Sequence, residues 1–307
     1  MKCGLVILNY KDYVLTQKLL DAVKDFSEID NIAVVDNCSP NESYEVLKKN
    51  ASSKITVLQS DRNGGYSYGN NIGIRYLIEH HSPDIIGIAN PDVMFGNELV
   101  RRIKETFESN PDYAILTGFQ LNAKNETGAH PFWEDNGNAS SILQSMAYSL
   151  TISPFVKLFR KILCMKNINK YREYCGRIKN SPENLNQVWA VEGSLFFIRT
   201  SDFESVGLFD ERIFMFGEED VLAKKIKNLG RKTGVINDVT YIHNHIEHKN
   251  SNPFKFSPLE RGQIFHFCNY VTESKILHAM YITLMYLSRL KHILKVAIKK
   301  LISRSNE

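Results

Sequence analysis

An aspartate stands at the end of an apolar run, where its carboxylate is well placed for ionic chemistry. The run reads IGIANPDVMF over residues 86–95, and Pro91 directly precedes Asp92. Proline fixes its own φ angle and moves Asn90 toward an extended conformation, so Asp92 is presented from a stiff strand end. Such placement suits a metal ion or a charged ligand. An ordinary turn is the alternative, because Asn, Pro and Asp are common turn residues.

Three consecutive acids, Glu218, Glu219 and Asp220, stand at the predicted start of an amphipathic helix. Acids in a first helical turn are stabilised by the helix dipole, which explains one or two of them without any function. Three adjacent acids repel one another, and the preceding IFMF places them beside apolar surface. Because such surroundings adjust the pKa of a carboxyl group, the cluster predicts a general base for proton transfer.

Histidines follow in the segment YIHNHIEH, which covers residues 241–248. In an extended segment His243 and His245 face the same side, and this geometry suits metal ligation. Exposed loop histidines are the alternative. Along the chain the order is therefore a strand-end aspartate, an acid cluster and then histidine.

The elements that must position these residues alternate between strand and helix. Apolar runs such as CGLVILNY, NIAVVDN, KITVLQS and DIIGIANPD are separated by segments with helical spacing, such as TQKLLDAVKDF and NESYEVLKKN. The alternation predicts an α/β fold whose mostly parallel sheet has helices on both faces and ligands beyond the carboxyl ends of its strands. Polar residues stand at three of those ends: Asn9 and Tyr10, Asp36 and Asn37, Asn90 and Asp92.

A glycine-rich segment, NGGYSYGNNIG at residues 63–73, opens a predicted helix. It matches neither the dinucleotide-binding fingerprint nor the P-loop. The sequence therefore lacks the phosphate-binding element that a Rossmann dehydrogenase or a P-loop NTPase requires. The segment supplies side-chain amides and backbone N–H groups at a helix entrance, where a ligand can approach closely. A purely structural loop is an equal alternative.

Composition excludes several classes of protein. The 307 residues are 43% hydrophobic and 23% charged, which is typical of a folded globular protein, and the net charge of +4 is too small to indicate nucleic-acid binding. The five cysteines are odd in number and form no C-x-x-C pair, so we expect neither a disulfide framework nor a cysteine zinc site. A reducing cytoplasm fits best. The amino-terminal MKCGLVILNYKDY predicts a first strand rather than a signal peptide.

The carboxy-terminal segment predicts a basic amphipathic helix. Its apolar positions follow helical spacing, while its basic positions lie on a different face. The apolar set is Leu287, Leu290, Leu294, Ile298 and Leu301, and the basic set is Lys291, His292, Lys295 and Lys299. The uncharged run, interrupted by His278, is shorter than a bilayer span requires. We expect the helix to lie on an anionic cytoplasmic membrane surface, with packing on the domain or on a second subunit as the alternative.

Taken in order, these motifs resemble the family 2 glycosyltransferases of the GT-A fold, in particular the bacterial polysaccharide and rhamnosyltransferase-like members. The resemblance covers about residues 4–251 and runs through VILNYKDY, VVDNCSP, NGGYSYGNNIGI, ANPDV, VEGSLFFIR and GLFDERIFMFGEEDVLAKKIKNLG. It implies a Rossmann-like GT-A domain over residues 1–250 and a helical extension over residues 251–307.

The resemblance also assigns a donor site and a metal. It implies that a nucleotide-sugar donor linked to UDP, dTDP or GDP is held by Asn9, Tyr10, Asp36, Asn63, Gly65, Gly69, Asn71 and Asn90. The D-x-D element of such enzymes corresponds to Asn90, Pro91 and Asp92, which lacks the first acid and leaves Asp92 as the strong carboxylate ligand. The downstream metal ligand is then His245, or less well His243, and the ion is Mg²⁺ or Mn²⁺.

The acid cluster resembles the family's E-D motif, whose second acid deprotonates the acceptor hydroxyl. Glu218 falls on the first position and Glu219 on the second, so Glu219 is the expected base, with Asp220 as the alternative. The implied activity is an inverting hexosyl transfer in capsule, O-antigen or other surface polysaccharide synthesis. A glycoside hydrolase would need two carboxylates that flank the scissile bond, and adjacent acids do not supply that arrangement.

The sequence leaves the acceptor and the other binding partners incompletely defined. The implied acceptor is a saccharide, free or polyprenyl-linked, and Trp133, Arg160 and Lys161 lie in the variable region that borders its site. We expect a cytoplasmic protein, peripheral on the inner face of the cell membrane, with a homo-oligomer as an open possibility and no nucleic-acid partner. Because the first acid of D-x-D is missing, the rival function is a catalytically silent subunit that binds a sugar nucleotide or assists assembly.

Overall fold

The computed structural model describes residues 1–128, 131–134, 139, 142–143, 146, 171–244 and 255–304. It divides into two compact units, of which the first comprises Met1–Glu134 and Cys175–Glu247 and the second Asp135–Tyr174 and His248–Glu307. The domain boundary expected at residue 250 remains a prediction. No helix in the described part of the chain is long and apolar enough to cross a membrane.

The amino-terminal half of the first unit is a parallel α/β layer. Its strands pair in the order β3-β2-β1-β4, with every neighbour parallel. Strands β1, β2 and β4 are almost wholly buried, as expected for a sheet covered on both faces, whereas β3 at the sheet edge is mostly half-buried. The elements are β1 (Cys3–Asn9), α1 (Tyr13–Val23), β2 (Asn31–Asp36), α2 (Ser43–Leu47), a 3₁₀ turn (Lys48–Asn50), β3 (Ile55–Gln59), α3 (Gly65–His81) and β4 (Ile85–Ala89).

The second half of this unit extends the sheet with mixed strand directions. The elements are β5 (Val93–Met94), α4 (Asn97–Ser109), β6 (Tyr113–Leu121), β7 (Phe132–Trp133), β8 (Leu185–Val188), β9 (Ala190–Val191), β10 (Leu195–Arg199), α5 (Thr200–Ser205), α6 (Glu218–Asn228) and β11 (Lys232–His243). A further helical stretch covers 171–179. The sheet continues from β4 as β10-β6-β11-β5, and β8 pairs with β11. Strand β10 is antiparallel to both of its neighbours, so the sheet is mixed.

The described part of the second unit is helical. It contains α7 (Pro258–His266), a π-helical turn (Phe267–Val271) and α8 (Lys275–Arg304). A capping box fixes the start of α7, because the Ser257 side chain accepts from Glu260 N and the Glu260 side chain accepts from Ser257 N. The core of this unit includes Phe267 stacked on Tyr281, with ring centroids 4.0 Å apart.

Candidate active site

Asp92 lies in a turn and also faces a histidine. Asn90 N donates to Ser194 O at 2.8 Å, and Val93 N donates to Asn90 O at 3.4 Å. Strand β5 then pairs with the end of β11, where Val93 is opposite His243. This pairing brings Asp92 Oδ2 to 3.3 Å from His243 Nε2. Asp92 therefore lies in a turn and contacts a histidine from a distant strand. The metal ion or charged ligand expected at Asp92 remains a prediction.

The other nitrogen of His243 is held by a second acid. Nδ1 lies 3.2 Å from Glu192 Oε2 and 3.1 Å from Gln120 Nε2, and Gln120 also donates to Glu192. Burial by itself lowers the pKa of His243, but hydrogen bonds to Asp92 and Glu192, together with their charges, raise it to about 9. The imidazole is therefore fixed between two carboxylates, in one orientation.

The neighbourhood of Asp92 also contains an amide oxygen with no partner. Asn244 N donates to Asp92 O at 3.0 Å, and the buried Asn244 Oδ1 has no hydrogen-bond partner within the part of the chain that the structure describes. Among the same residues, no group of three or more His, Cys, Asp or Glu side chains forms a metal-ligand set. His245, Arg160 and Lys161 lie outside the described residues, so their expected roles remain predictions.

The acid cluster begins helix α6, as the sequence predicts. Glu218 is only 4% exposed, and burial raises its pKa well above the ordinary value, helped by the charge of Glu219. Glu219 Oε1 accepts from Gly193 N at 3.2 Å. Burial raises the pKa of Glu219 to about 7, although two backbone hydrogen bonds oppose the shift. A carboxyl group that titrates near neutral pH is suited to accept a proton from a substrate hydroxyl.

Asp220, the third acid, is bound by two indole rings. Trp133 Nε1 donates to Asp220 Oδ1 at 2.8 Å, and Trp189 Nε1 donates to the same oxygen at 3.3 Å. The two tryptophans are joined through their backbones, since Trp189 N donates to Trp133 O at 3.0 Å beside the pairing of β7 with β9. One oxygen of Asp220 is thereby fixed, and the carboxylate is held in one orientation.

A three-residue segment, Glu192-Gly193-Ser194, connects the Asp92 turn with the acid cluster. Glu192 holds His243, Gly193 N–H binds Glu219, and Ser194 O accepts from Asn90 N. The strand-end aspartate, the histidine and the acids, which are far apart in sequence, are therefore neighbours in one site. Gly193 has room for little more than hydrogen, because an added Cβ would lie 3.0 Å from Glu219 Oε1.

At the ends of β1 and β2, Asn9 and Asp36 form a buried pair. Asn9 Nδ2 donates to Asp36 Oδ1 at 2.7 Å, Ser39 N donates to Asp36 Oδ2 at 2.9 Å, and both residues are 0% exposed. Thr16 Oγ1 completes the set by donating to Asn9 Oδ1 at 2.8 Å. Tyr10, in contrast, is 41% exposed. Of the residues expected at this edge, only Tyr10 presents a large free surface to a ligand.

The glycine-rich segment is covered by another part of the chain. Tyr66 N donates to Phe214 O at 2.7 Å, and Gly65 N donates to Asn63 Oδ1 at 3.2 Å. Gly65 adopts a φ of +86°, and an added Cβ would lie 1.9 Å from Phe214 O. Two of the N–H groups expected to be open to a ligand therefore have partners: Phe214 O accepts from Tyr66 N, and Asn63, within the same segment, accepts from Gly65 N. The donor-binding role of the segment remains a prediction.

The two other expected residues of this segment also serve packing. Gly69 allows close contact of α3 with β1, since an added Cβ would lie 2.4 Å from Leu8 Cδ1. Asn71 exchanges hydrogen bonds with the backbone of Phe209, donating at 3.0 Å and accepting at 3.2 Å. Gly69 therefore holds α3 against β1, and Asn71 holds it against the backbone of Phe209.

Sequence reasoning missed Glu192, Gln120, Tyr66 and Trp189. Glu192 belongs to VEGSLFFIR, a motif that carries the resemblance, yet an acid just before a buried strand gives no local sign of a histidine partner. Tyr66 Oη donates to Gly193 O at 2.6 Å, a contact across 127 positions of sequence. The one available signal for Trp189 was composition, because the chain has only two tryptophans and both contact Asp220.

With this geometry established, comparison with known proteins decides the family. The sequence model described as glycosyl transferase family 2 matches residues 5–166, just over half of the chain. The chain belongs to this family. The family expected from the motifs is thereby confirmed, while the rhamnosyltransferase-like subtype remains a prediction.

A curated relative from Haloferax volcanii, the low-salt glycan biosynthesis hexosyltransferase Agl10, is 25% identical over 241 residues. The match covers 78% of this chain and 66% of that relative's length.

Solved structures with the same fold include GalNAc-T7 with UDP, GalNAc and Mn²⁺, with a TM-score of 0.57 and 14% identity over 87% of this chain and 47% of that one. The mannosyltransferase PcManGT of Pyrobaculum calidifontis, in complex with GDP-Man and Mn²⁺, gives a TM-score of 0.53 and 12% identity over 99% of this chain and 79% of that one. At these identities the likeness concerns the fold, and the expected GT-A fold is confirmed.

Proposed function

We propose that this protein transfers a hexosyl group, with inversion, from a nucleotide-sugar donor to a saccharide acceptor in the synthesis of a surface glycan. The observation that carries the proposal is the segment Glu192-Gly193-Ser194, which joins the Asp92–His243 pair to Glu219. A site for a charged leaving group and a site for a proton acceptor thus share one short segment. Membership of glycosyl transferase family 2 supports the reaction class.

The residues around Asp92 fit a divalent cation. Two ligand atoms that each lie about 2.1 Å from one ion are separated by at most about 4 Å, and Asp92 Oδ2 is 3.3 Å from His243 Nε2. His243 also has the usual support of a metal-binding histidine, because its other nitrogen contacts the Glu192 carboxylate. Asn244, whose buried Oδ1 has no partner among the described residues, follows His243 directly, and its N–H donates to Asp92 O.

We assign Asp92 and His243 as the residues that would hold Mg²⁺ or Mn²⁺, with His245 as an additional expected ligand. When bound, such an ion supplies positive charge that stabilises a departing diphosphate. Few protein ligands are expected for such ions, since they retain water and phosphate oxygens. The Mn²⁺ present in the structures of GalNAc-T7 and PcManGT supports this choice of ion.

The base is drawn from the acid cluster. Glu219 is the first choice, because its pKa of about 7 lets it accept and release a proton near neutral pH. Asp220 is the alternative, since its carboxylate is held in one orientation by two indole N–H groups. Glu218 is buried, and we assign it to the environment of the other two acids.

For the donor, we propose that Tyr10 contacts the nucleobase and that the buried Asn9–Asp36 pair fixes the strand ends around it. The nucleotides bound in the related folds, UDP in GalNAc-T7 and GDP-mannose in PcManGT, support a nucleotide-sugar donor linked to UDP, dTDP or GDP. The acceptor is a saccharide, free or polyprenyl-linked.

The test is release of nucleoside diphosphate from UDP-, dTDP- and GDP-sugars with Mn²⁺ or Mg²⁺, compared among the wild type, Asp92→Ala, Glu219→Gln and Asp220→Asn. We expect one donor class to turn over, metal-dependent activity that is lost in Asp92→Ala, and a strong loss in one of the two acid variants. Binding of a sugar nucleotide without turnover toward any acceptor would favour the silent subunit. No binding with either cation would overturn the donor site.

A further inference from the structure

Helix α8, in the second unit, carries many cations and no acid. Its basic residues are Lys275, Arg289, Lys291, Lys295, Lys299, Lys300 and Arg304, and the sequence has no Asp or Glu between 275 and 304. A surface helix of an ordinary globular domain usually carries both signs of charge. The bias indicates a partner with negative charge.

The same helix has two apolar faces. One face packs inside its unit, where Tyr281 and Met285 join Phe267 in a small core. The other face is exposed and follows helical spacing: Ile276 is 74% exposed, Leu294 53% and Ile298 55%. We call this face the apolar stripe; its members are Ile276, Met280, Leu287, Leu290, Leu294 and Ile298. Because packing is already supplied by the first face, the stripe requires a different explanation.

A cavity of about 500 Å³ opens where the stripe passes the start of α7. We call it the basic groove; it is lined by Lys255, Phe256, Arg261, Tyr286, Arg289 and Leu290. Phe256 and Tyr286 meet edge to face, with centroids 4.9 Å apart. Leu290 belongs to both features, so the groove and the stripe form one continuous surface.

The cations of the groove differ in what they bind. Arg289 is engaged with Glu260 and with Lys255 O. In the described part of the chain, the side chains of Lys255 and Arg261 have no carboxylate within salt-bridge distance. Lys255 and Arg261 lie beside aromatic and aliphatic side chains, so the groove is suited to an anionic group that is attached to an apolar molecule.

We propose that the basic groove binds the headgroup of an anionic phospholipid and that the apolar stripe enters the adjoining bilayer interface. The helix then lies in the membrane surface with Lys and Arg at the depth of the phosphates. A second copy of this chain is a poorer partner, because an acid-free helix would bring cations against cations. This inference does not depend on the proposed glycosyl transfer.

The experiment is co-sedimentation of the full chain with vesicles of phosphatidylcholine alone and of phosphatidylcholine with phosphatidylglycerol, at about 0.1 M and about 0.5 M salt. We expect binding to the anionic vesicles at low salt, and weak binding to the neutral ones. Lys255→Glu with Arg261→Glu should reduce that binding about tenfold or more. The matched control, Lys18→Glu with Lys49→Glu, reverses the same number of exposed charges elsewhere and should change it by less than about twofold.

A second pair separates the stripe from the groove. Leu294→Gln with Ile298→Gln should weaken vesicle binding, while Val14→Gln with Leu229→Gln, at exposed positions outside the second unit, should not. These exposed substitutions leave the packed core intact, so loss of folding does not complicate the result.

Other outcomes would overturn the proposal. They are equal binding to both kinds of vesicle, undiminished binding of the Lys255/Arg261 variant, and release by inorganic phosphate at matched ionic strength, which would assign the groove to a free anion. Self-association in sedimentation velocity that disappears in the Leu294/Ile298 variant, without vesicle binding by the wild type, would assign the stripe to a second copy.

Discussion

Trp133 Nε1 lies 2.8 Å from Asp220 Oδ1, so an indole from β7 binds the third acid of α6. Trp189 donates to the same oxygen from the neighbouring strand connection. Only Oδ2 is then left to face a substrate, and rotation of the carboxylate would break both bonds. The two tryptophans therefore act as positioning residues for Asp220.

We predict that Trp133→Phe and Trp189→Phe each lower kcat by about tenfold with little change in the KM for the donor, because a hydrogen bond to a charged group contributes about 1.5–3 kcal/mol. Each variant retains one tryptophan, whose fluorescence should shift when Asp220 is replaced by Ala. Tyr68→Phe, which removes a donor to the exposed Asp61, is the matched control. An unchanged kcat in the double tryptophan variant would contradict a positioning role.

Glu192 should control metal affinity through His243. Replacing it by Gln removes the carboxylate that orients Nδ1, so we expect the apparent affinity for Mn²⁺ to fall about 10- to 100-fold, with kcat largely recovered at saturating metal. Direct Mn²⁺ binding, followed by electron paramagnetic resonance of the free ion, provides a measurement that does not depend on turnover. Glu183→Gln, at an exposed position nearby in sequence, should behave as wild type. Removal of metal with EDTA should abolish turnover, and Mn²⁺ should restore it.

The pH dependence of kcat/KM should identify which acid of the cluster is the general base. If Glu219 accepts the acceptor proton, kcat/KM rises with pH through about 7, the pKa to which burial raises its carboxyl group. Its titratable neighbours are Glu218, Asp220, Tyr66 and Glu192. Loss of turnover in Asp220→Asn, with kcat/KM retained in Glu219→Gln, would transfer the role to Asp220.

The free energy of unfolding should also depend on Glu219, but it should fall as the pH rises. Folded Glu219 keeps its proton between its ordinary pKa of 4.5 and about 7, whereas the unfolded chain releases it. The free energy of unfolding of the wild type, measured against Glu219→Gln, should therefore be highest below about pH 4.5 and fall as the pH rises through about 7. Glu204→Gln, a substitution at an exposed position, is the matched control.

Substitutions of Asp36 and Tyr10 should have different effects, the first on stability and the second on donor binding. Asp36→Ala leaves the buried Asn9 Nδ2 and Ser39 N without their acceptor, and we expect a loss of about 2–3 kcal/mol in the free energy of unfolding. Tyr10→Ala changes an exposed side chain and should weaken nucleotide binding without affecting stability. Denaturant unfolding and nucleotide titration measure the two effects. Equal stability of both variants would contradict the structural role given to Asp36.

Gly65 offers a test of the contact between α3 and the segment before the acids. Gly65→Ala and Gly207→Ala both place alanine at positive φ, +86° and +74°, but only the Cβ at position 65 meets another atom, Phe214 O at 1.9 Å. We therefore expect Gly65→Ala to cost more stability than Gly207→Ala, and to lower kcat because Phe214 and the acids are displaced. Similar stability of the two variants would contradict the importance of this contact.

The sequence by itself determined the local features of the site. Strand β4 ends just before Asn90 and Pro91, because proline restricts the residue that precedes it. Helix α6 begins at Glu218, because acids in a first turn are a local helix-start signal. The alternation of strands and helices was likewise sufficient for the parallel half of the sheet, whereas the GT-A fold was implied by the resemblance of the ordered motifs to a known family. These properties depend on neighbours along the chain, which a sequence displays directly.

Tertiary structure decided which of these residues meet. The pairing of β5 with β11 brings His243 to Asp92, and the antiparallel pairing of β10 with β4 brings Ser194 to Asn90. Gly193, next to Ser194, meets Glu219 because α6 packs nearby. The burial of Asp36 and the hydrogen bond from Tyr66 N to Phe214 O also depend on chain segments that are distant in sequence. Contacts of this kind arise from packing and strand order, and no local pattern of residue types encodes them.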